Sequence, residues 1–151
     1  KLALKGLNKI IPKDLNPENK ERLTNNFDAS ITYSRQIGNI YTGSLYLGLL
    51  SLLEQSQDLK AGDKIGFFSY GSGAVSEIFS GRLVEGYKDL LRSDRLDIFA
   101  KRQHLSVSDY EKLFYEEAQL DDTGSTQFAD YQTGAFRLTE ISEHQRIYKG
   151  N

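Results

Sequence analysis

The chain has 151 residues, 38% of them hydrophobic and 26% charged, with a formal net charge of −2; this is the size of one ordinary domain and the composition of a globular protein rather than a disordered one. That charge gives no electrostatic case for nucleic-acid binding, and no apolar run reaches the roughly 18 residues of a membrane span. Cysteine is absent, which excludes disulfides, thiolate metal sites and a cysteine nucleophile within this chain.

In chain order, Leu2, Leu4, Leu7, Ile10 and Ile11 recur near helical spacing and predict an amphipathic helix ended by Pro12. No cap precedes it, no signal peptide is visible, and Met is absent even at position 1. The expectation is a fragment or a processed product of intracellular origin. A second helix is predicted over residues 17–33, with Pro17 suited to its first turn and one sparse apolar stripe of Leu23, Phe27, Ile31 and Tyr33. Residues 38–44 form a Gly/Asn/Thr/Ser loop into the most hydrophobic run of the chain, residues 45–53. That run reads as a helix apolar on most sides, and therefore buried. Within it Ser44, Gly48 and Ser51 make a small-residue stripe that lets another element approach closely.

Residues 65–70 are short and largely apolar, which suits a strand buried on both faces. Gly71-Ser72-Gly73 interrupts, and β-prone residues resume over 74–84, so a hairpin with its apex at residues 71–73 is predicted. Tyr87, Leu90 and Leu91, and then residues 96–100, make two short helical elements. Ser108 and Glu111 stand at capping-box spacing before Tyr110, Leu113 and Phe114. A polar loop over residues 121–125 and a strand or hairpin over 135–148 complete an α/β chain with no internal repeat.

On position alone the candidate sites favour structural roles. Asn39 reads first as a helix cap and second as a donor aimed at a ligand from a helix entrance. Gly71-Ser72-Gly73 reads first as a turn needing positive φ and second as a backbone that lets a ligand approach. Lys1 and Lys5, one turn apart on one face, read first as solvated and second as a grip on phosphates. His104 and His144 have polar neighbours and no partner at useful spacing. The carboxylates show no metal-ligand pattern.

The pairing of Gly38-Asn39-Ile40-Tyr41-Thr42-Gly43-Ser44 with Phe68-Ser69-Tyr70-Gly71-Ser72-Gly73 resembles the C-terminal half of bacterial-type 3-hydroxy-3-methylglutaryl-CoA synthase, a member of the thiolase superfamily. Residues 1–5, 83–87 and 105–110 are similar to it too; the likeness covers essentially the whole chain and weakens after Asp121. It implies one C-terminal domain over residues 1–151, half of a thiolase-like fold, with a mixed sheet flanked by helices and a buried central helix. It implies condensation of acetyl-CoA with acetoacetyl-CoA in the mevalonate pathway, in the cytoplasm, by a homodimer. No cofactor or metal is implied. The catalytic cysteine, glutamate and histidine are expected upstream, the histidine in a His-x-Pro motif before Lys1, so neither His104 nor His144 inherits that role. Isolated, the chain is expected to be inactive.

Residue by residue, the resemblance makes Asn39 and Ser72 contacts of the acetoacetyl or product group. Tyr41 and Gly71 shape that pocket, and Lys1 and Lys5 approach the CoA phosphates, which reverses the solvated reading of the lysines. Two other hypotheses are a fragment of another thiolase-fold condensing enzyme of the ketoacyl synthase type, whose second histidine motif is not found here, and a non-catalytic binding or dimerisation fragment.

Overall fold

The computed structural model describes residues 2–71, 73–115, 118–129 and 134–150. Two of the site expectations, Lys1 and Ser72, lie outside the described residues. The chain divides into two units, Lys1–Arg95 and Leu96–Asn151.

The first unit runs α1 (Leu2–Ile10), α2 (Pro17–Ile37), α3 (Gly43–Gln55), β1 (Lys64–Tyr70), β2 (Ser76–Arg82) and a 3-10 turn at Tyr87–Leu90. At the start of α2 the Asn16 side chain accepts the Asn19 N–H at 2.8 Å, and Pro17 fills a first-turn position where its missing N–H costs nothing. The helix continues past the expected end at 33 because no breaker occurs until Gly38, whose φ of 87 stops it.

The small-residue stripe of α3 does pack against α2. A Cβ on Gly48 would lie 3.5 Å from the Ser30 carbonyl oxygen. The Ser51 hydroxyl donates to Ala29 O at 2.6 Å and accepts from Tyr33 N–H at 3.2 Å. It bridges the two ends of one turn of α2, and both Ser51 and Tyr33 are buried. Leu52, Leu59 and Ile65 form the core, with Ala29, Leu49, Leu53, Phe67 and Leu83 around it.

Two burial expectations need correction. Among the described residues of α3 only Ser51 and Leu52 are fully buried, and Tyr46 is exposed. In β1 only Ile65 is buried. The physical reason is the same for both: α3 packs on α2 and on β1, and β1 pairs with β2 alone in a two-stranded ladder, so much of each apolar surface has no cover within this unit.

The expected hairpin forms, but its second strand starts at Ser76 rather than at 74, which shifts the register by two residues from one centred on residues 71–73 and sets Phe67 opposite Phe79 and Ile65 opposite Gly81. The two phenyl rings stack at 4.8 Å, and Gly81 leaves room for them, since a Cβ there would sit 3.4 Å from Phe67. Residues 71–75 close it through Gly71 N–H to Val75 O at 2.8 Å. Ala74 carries a positive φ, 57, and Gly71 does not. The turn therefore does not require glycine at position 71 for backbone reasons. The ring of Phe68 lies against α1, 3.6 Å from where a Cβ on Gly6 would be.

The second unit holds most of α4 (Arg95–Ala100), then α5 (Val107–Tyr115) and an antiparallel sheet in the order β3 (Thr126–Gln127), β4 (Phe136–Ser142), β5 (Gln145–Gly150). A serine caps α5, and it is Ser106, two residues before the Ser108 of the capping-box spacing. Ser106 Oγ accepts Asp109 N–H at 3.1 Å and donates to the Asp109 carboxylate at 2.7 Å. The helix starts at Val107, which puts Ser108 inside its first turn, so the Ser108–Glu111 pair cannot act as the box. The polar loop is held by Asp121 Oδ1, which accepts from Thr123 and Ser125 N–H groups, both at 2.9 Å. The β4–β5 turn places Glu143 and His144 at positive φ.

His144 N–H bonds Gly124 O at 3.0 Å, and its ring leaves no room for a Cβ on Gly124, whose φ is 75. Gly124→Ala is expected to destabilise the protein by about 1–2 kcal/mol, from left-handed strain plus displacement of the imidazole. His144→Ala in the same background should recover part of that loss in thermal melting. Equal stability of Gly124→Ala and the wild type would contradict the packing.

Candidate active-site loop

The loop that leads into α3 is built by one side chain. Asn39 Oδ1 accepts the Tyr41 N–H at 2.9 Å and the Ser44 hydroxyl at 3.1 Å. Ser44 Oγ in turn accepts the Ile40 N–H at 3.0 Å. Tyr41 is thereby held in the left-handed region, φ 55, with its side chain 87% exposed. A non-glycine residue there costs on the order of 1–2 kcal/mol, which the surrounding hydrogen bonds offset.

Asn39 therefore does not cap the helix. The N-cap position belongs to Thr42, which makes no side-chain cap bond. The first turn is closed by backbone bonds instead, Gly43 N–H to Ile40 O at 3.1 Å and Ser44 N–H to Tyr41 O at 2.9 Å. Asn39 Oδ1 thus accepts two hydrogen bonds, and the NH₂ of the same carboxamide carries two donors. Among the described residues no hydrogen bond takes up that NH₂.

Helix α3 spans 13 residues and β1 spans 7, or about 20 Å and 23 Å. The chain reverses between them over residues 56–63 and the two pack together through the shared core. In α1, Lys5 precedes Gly6, the residue set against the Phe68 ring. Asn39 and Tyr41 lie in the loop before α3, Gly71 directly follows β1, and Lys5 lies in α1. Among the described residues no hydrogen bond joins Gly71 or Lys5 to the Asn39 loop.

The far end of α3 is fixed by a polar cluster with no counterpart in the sequence reading. The Glu54 side chain is 1% exposed. It accepts from Arg95 Nε at 2.8 Å, Arg95 Nη2 at 3.1 Å, Arg92 N–H at 3.0 Å and the Tyr33 hydroxyl at 2.5 Å. Gln55 donates to that hydroxyl at 3.2 Å. Burial pushes the Glu54 carboxyl up, but the guanidinium of Arg95, the Tyr33 hydroxyl and the Arg92 amide outweigh it and hold the group below its ordinary value. Burial and the adjacent carboxylate raise the Tyr33 phenol.

A shallow, open depression of about 400 Å³ near Lys60, Glu85, Tyr87 and Lys88 holds none of the expected site residues. Among the described residues no cluster of three His, Asp or Glu side chains could hold a metal ion, and no helix is long and apolar enough to cross a membrane. Sequence reasoning missed Ser44 as a partner of Asn39, although the five-residue spacing across a helix entrance was there to be read. It also missed Glu54, whose partner Arg95 is 41 positions away and carries no local signal.

Comparison with known proteins identifies the family. The family described as "Hydroxymethylglutaryl-coenzyme A synthase C terminal" matches residues 5–150. A hydroxymethylglutaryl-CoA synthase of Enterococcus faecalis is 50% identical over 103 residues, covering 68% of this chain and 27% of that protein. A crystal structure of an HMG-CoA synthase complexed with CoA superposes with a TM-score of 0.85 at 63% identity, covering 99% of this chain and 39% of that one. The Streptococcus mutans UA159 protein smu.943c gives 0.81 at 60%, covering 99% and 40%. The chain thus spans well under half the length of these relatives, and it has the expected thiolase-like fold, although among the described residues both sheets are antiparallel and the expected mixed sheet is not seen. The chain belongs to the hydroxymethylglutaryl-CoA synthase family, of which it carries the C-terminal part.

Proposed function

We propose that this chain works as part of a synthase that condenses acetyl-CoA with acetoacetyl-CoA to 3-hydroxy-3-methylglutaryl-CoA, in the cytoplasm, as a step of the mevalonate pathway. Its share of the task is recognition of the acyl group and of CoA. Asn39 and Ser72 bind the acetoacetyl or product group, Tyr41 and Gly71 shape the pocket, and Lys1 and Lys5 meet the CoA phosphates. The cysteine that carries the acetyl group, the glutamate acid/base and the positioning histidine come from the rest of the synthase. The whole acts as a homodimer and uses no cofactor beyond its two thioester substrates.

The observation that carries this reading is the hydrogen bonding of Asn39, whose Oδ1 is taken by Tyr41 N–H and the Ser44 hydroxyl while its NH₂ is left to donate. Condensation builds negative charge on a substrate oxygen. A donor already aimed and held by its own neighbours stabilises such charge without reorganising, which is typically worth a few kcal/mol. Relatives named as hydroxymethylglutaryl-CoA synthases, and a solved HMG-CoA synthase complexed with CoA, support the substrate class.

Gly71 gives a direct test. A Cβ there would meet nothing closer than Val75 O at 3.8 Å, and the backbone is not left-handed. Within the chain, therefore, alanine fits. In the full synthase Gly71→Ala is expected to leave the melting temperature unchanged and to lower kcat/KM for acetoacetyl-CoA about tenfold or more, because the added methyl occupies the acyl approach. Unchanged kcat/KM would contradict a pocket at the hairpin apex.

A further inference from the structure

The geometry points to Ser44 as a positioning residue for the condensation, acting through Asn39. It holds the carboxamide so that its NH₂, and not its oxygen, faces the substrate oxygen. This rests on the reading of Asn39 as a donor to the acyl group, and it adds a residue that family likeness does not assign.

A primary amide can flip end for end at little cost, which would present an acceptor where a donor is needed. Two groups prevent that here. Tyr41 N–H is a pure donor 2.9 Å from the carboxamide, so the atom facing it must be the oxygen. Ser44 contributes the second bond, 3.1 Å from the same oxygen. Its hydroxyl direction is not arbitrary either. Ser44 Oγ already accepts Ile40 N–H at 3.0 Å, so its single proton is left to be given to Asn39. A backbone amide thus sets the serine and the serine sets the asparagine. The arrangement is rigid because Ser44 lies in the first turn of α3, whose other end is fixed by the Glu54 cluster. Ser44 itself need not touch substrate. Without it one bond still favours the donor-outward state, but the side chain gains freedom to rotate.

The test uses four variants of the full synthase: Ser44→Ala, Ser44→Thr, Asn39→Ala and the Ser44→Ala/Asn39→Ala double. Ser44→Ala is expected to lower kcat about tenfold with KM for acetoacetyl-CoA within about twofold, a loss of alignment rather than of binding. Ser44→Thr, which keeps the hydroxyl, should recover most of the rate. The double variant should be no slower than Asn39→Ala alone, since Ser44 has nothing to position once the carboxamide is gone. If Ser44→Ala melts early, Ser44→Cys, near in size and a weak donor, takes its place with the same expectation. Wild-type kcat in Ser44→Ala beside a slow Asn39→Ala overturns the role of Ser44 and leaves the function standing. A double variant slower than Asn39→Ala by the full Ser44 factor also overturns it. Wild-type rates in both single variants overturn the function of Asn39 itself.

Discussion

Glu54→Ala is expected to lower folding stability by about 3 kcal/mol, the lower end of what breaking a buried ion pair costs. The lower end applies because Arg95 keeps about a quarter of its side chain in solvent, at 25% exposure, whereas Glu54 keeps almost none. Alanine leaves the guanidinium, the Tyr33 hydroxyl and the Arg92 amide without their acceptor at once. The expected readout is a drop in the urea midpoint and melting temperature of the protein, with an unchanged m-value. A loss under about 1 kcal/mol, as for a surface pair, would contradict the described burial. The sign with pH follows from the held-down carboxyl. The unfolded chain takes up a proton at the ordinary glutamate value of 4.5, while the folded chain resists until lower pH. The contribution of Glu54 is therefore fully present above that value and is lost as pH falls through the folded one. Glu54→Gln should flatten this acid-side loss relative to the wild type.

Asn39→Ala in the full synthase is expected to lower kcat by about 10²–10³, the usual cost of removing one donor to a developing oxyanion. Stability should change by less than about 1 kcal/mol, because the loop is exposed and its two lost bonds are solvent-accessible. Asn39→Asp separates the two roles of the side chain. A carboxylate keeps the acceptor for Tyr41 N–H and Ser44, so the turn stays intact, but it has no donor and adds negative charge where charge develops. It should be at least as slow as alanine while melting like the wild type. Full activity in Asn39→Asp would remove Asn39 from the chemistry.

What could be read from the chain beforehand was whatever local chemistry decides. The Gly48 and Ser51 approach, the hairpin of β1 and β2 though not its register, and the start of α2 at Pro17 all follow from spacing and residue type. The burial of α3 and β1 was overstated, because hydrophobicity says that a surface wants cover and not that this chain supplies it. Pro17 and Gly38 bracket α2, but nothing between Tyr33 and Gly38 marks where a helix should end. The α5 cap could be read one serine too late, since Ser106-Val107-Ser108-Asp109 offers two candidates and only the helix start chooses between them. At the site, Asn39 was legible as a residue and not as a geometry. The positive φ of Tyr41 and the role of Ser44 depend on hydrogen bonds across the loop, and the Glu54–Arg95 pair on a chain reversal far along the sequence.

The central claim is that the carboxamide NH₂ of Asn39 faces the substrate acyl oxygen beside the Gly71 end of the hairpin. A crystal structure of the full synthase with bound acetoacetyl-CoA measures this directly. The account expects Asn39 Nδ2 within about 3.2 Å of an acyl oxygen, a normal N–H···O distance, with Oδ1 still bonded to Tyr41 N–H and Ser44. An acyl group lying away from residues 39 and 71, or an Asn39 that meets it through Oδ1, would contradict the account.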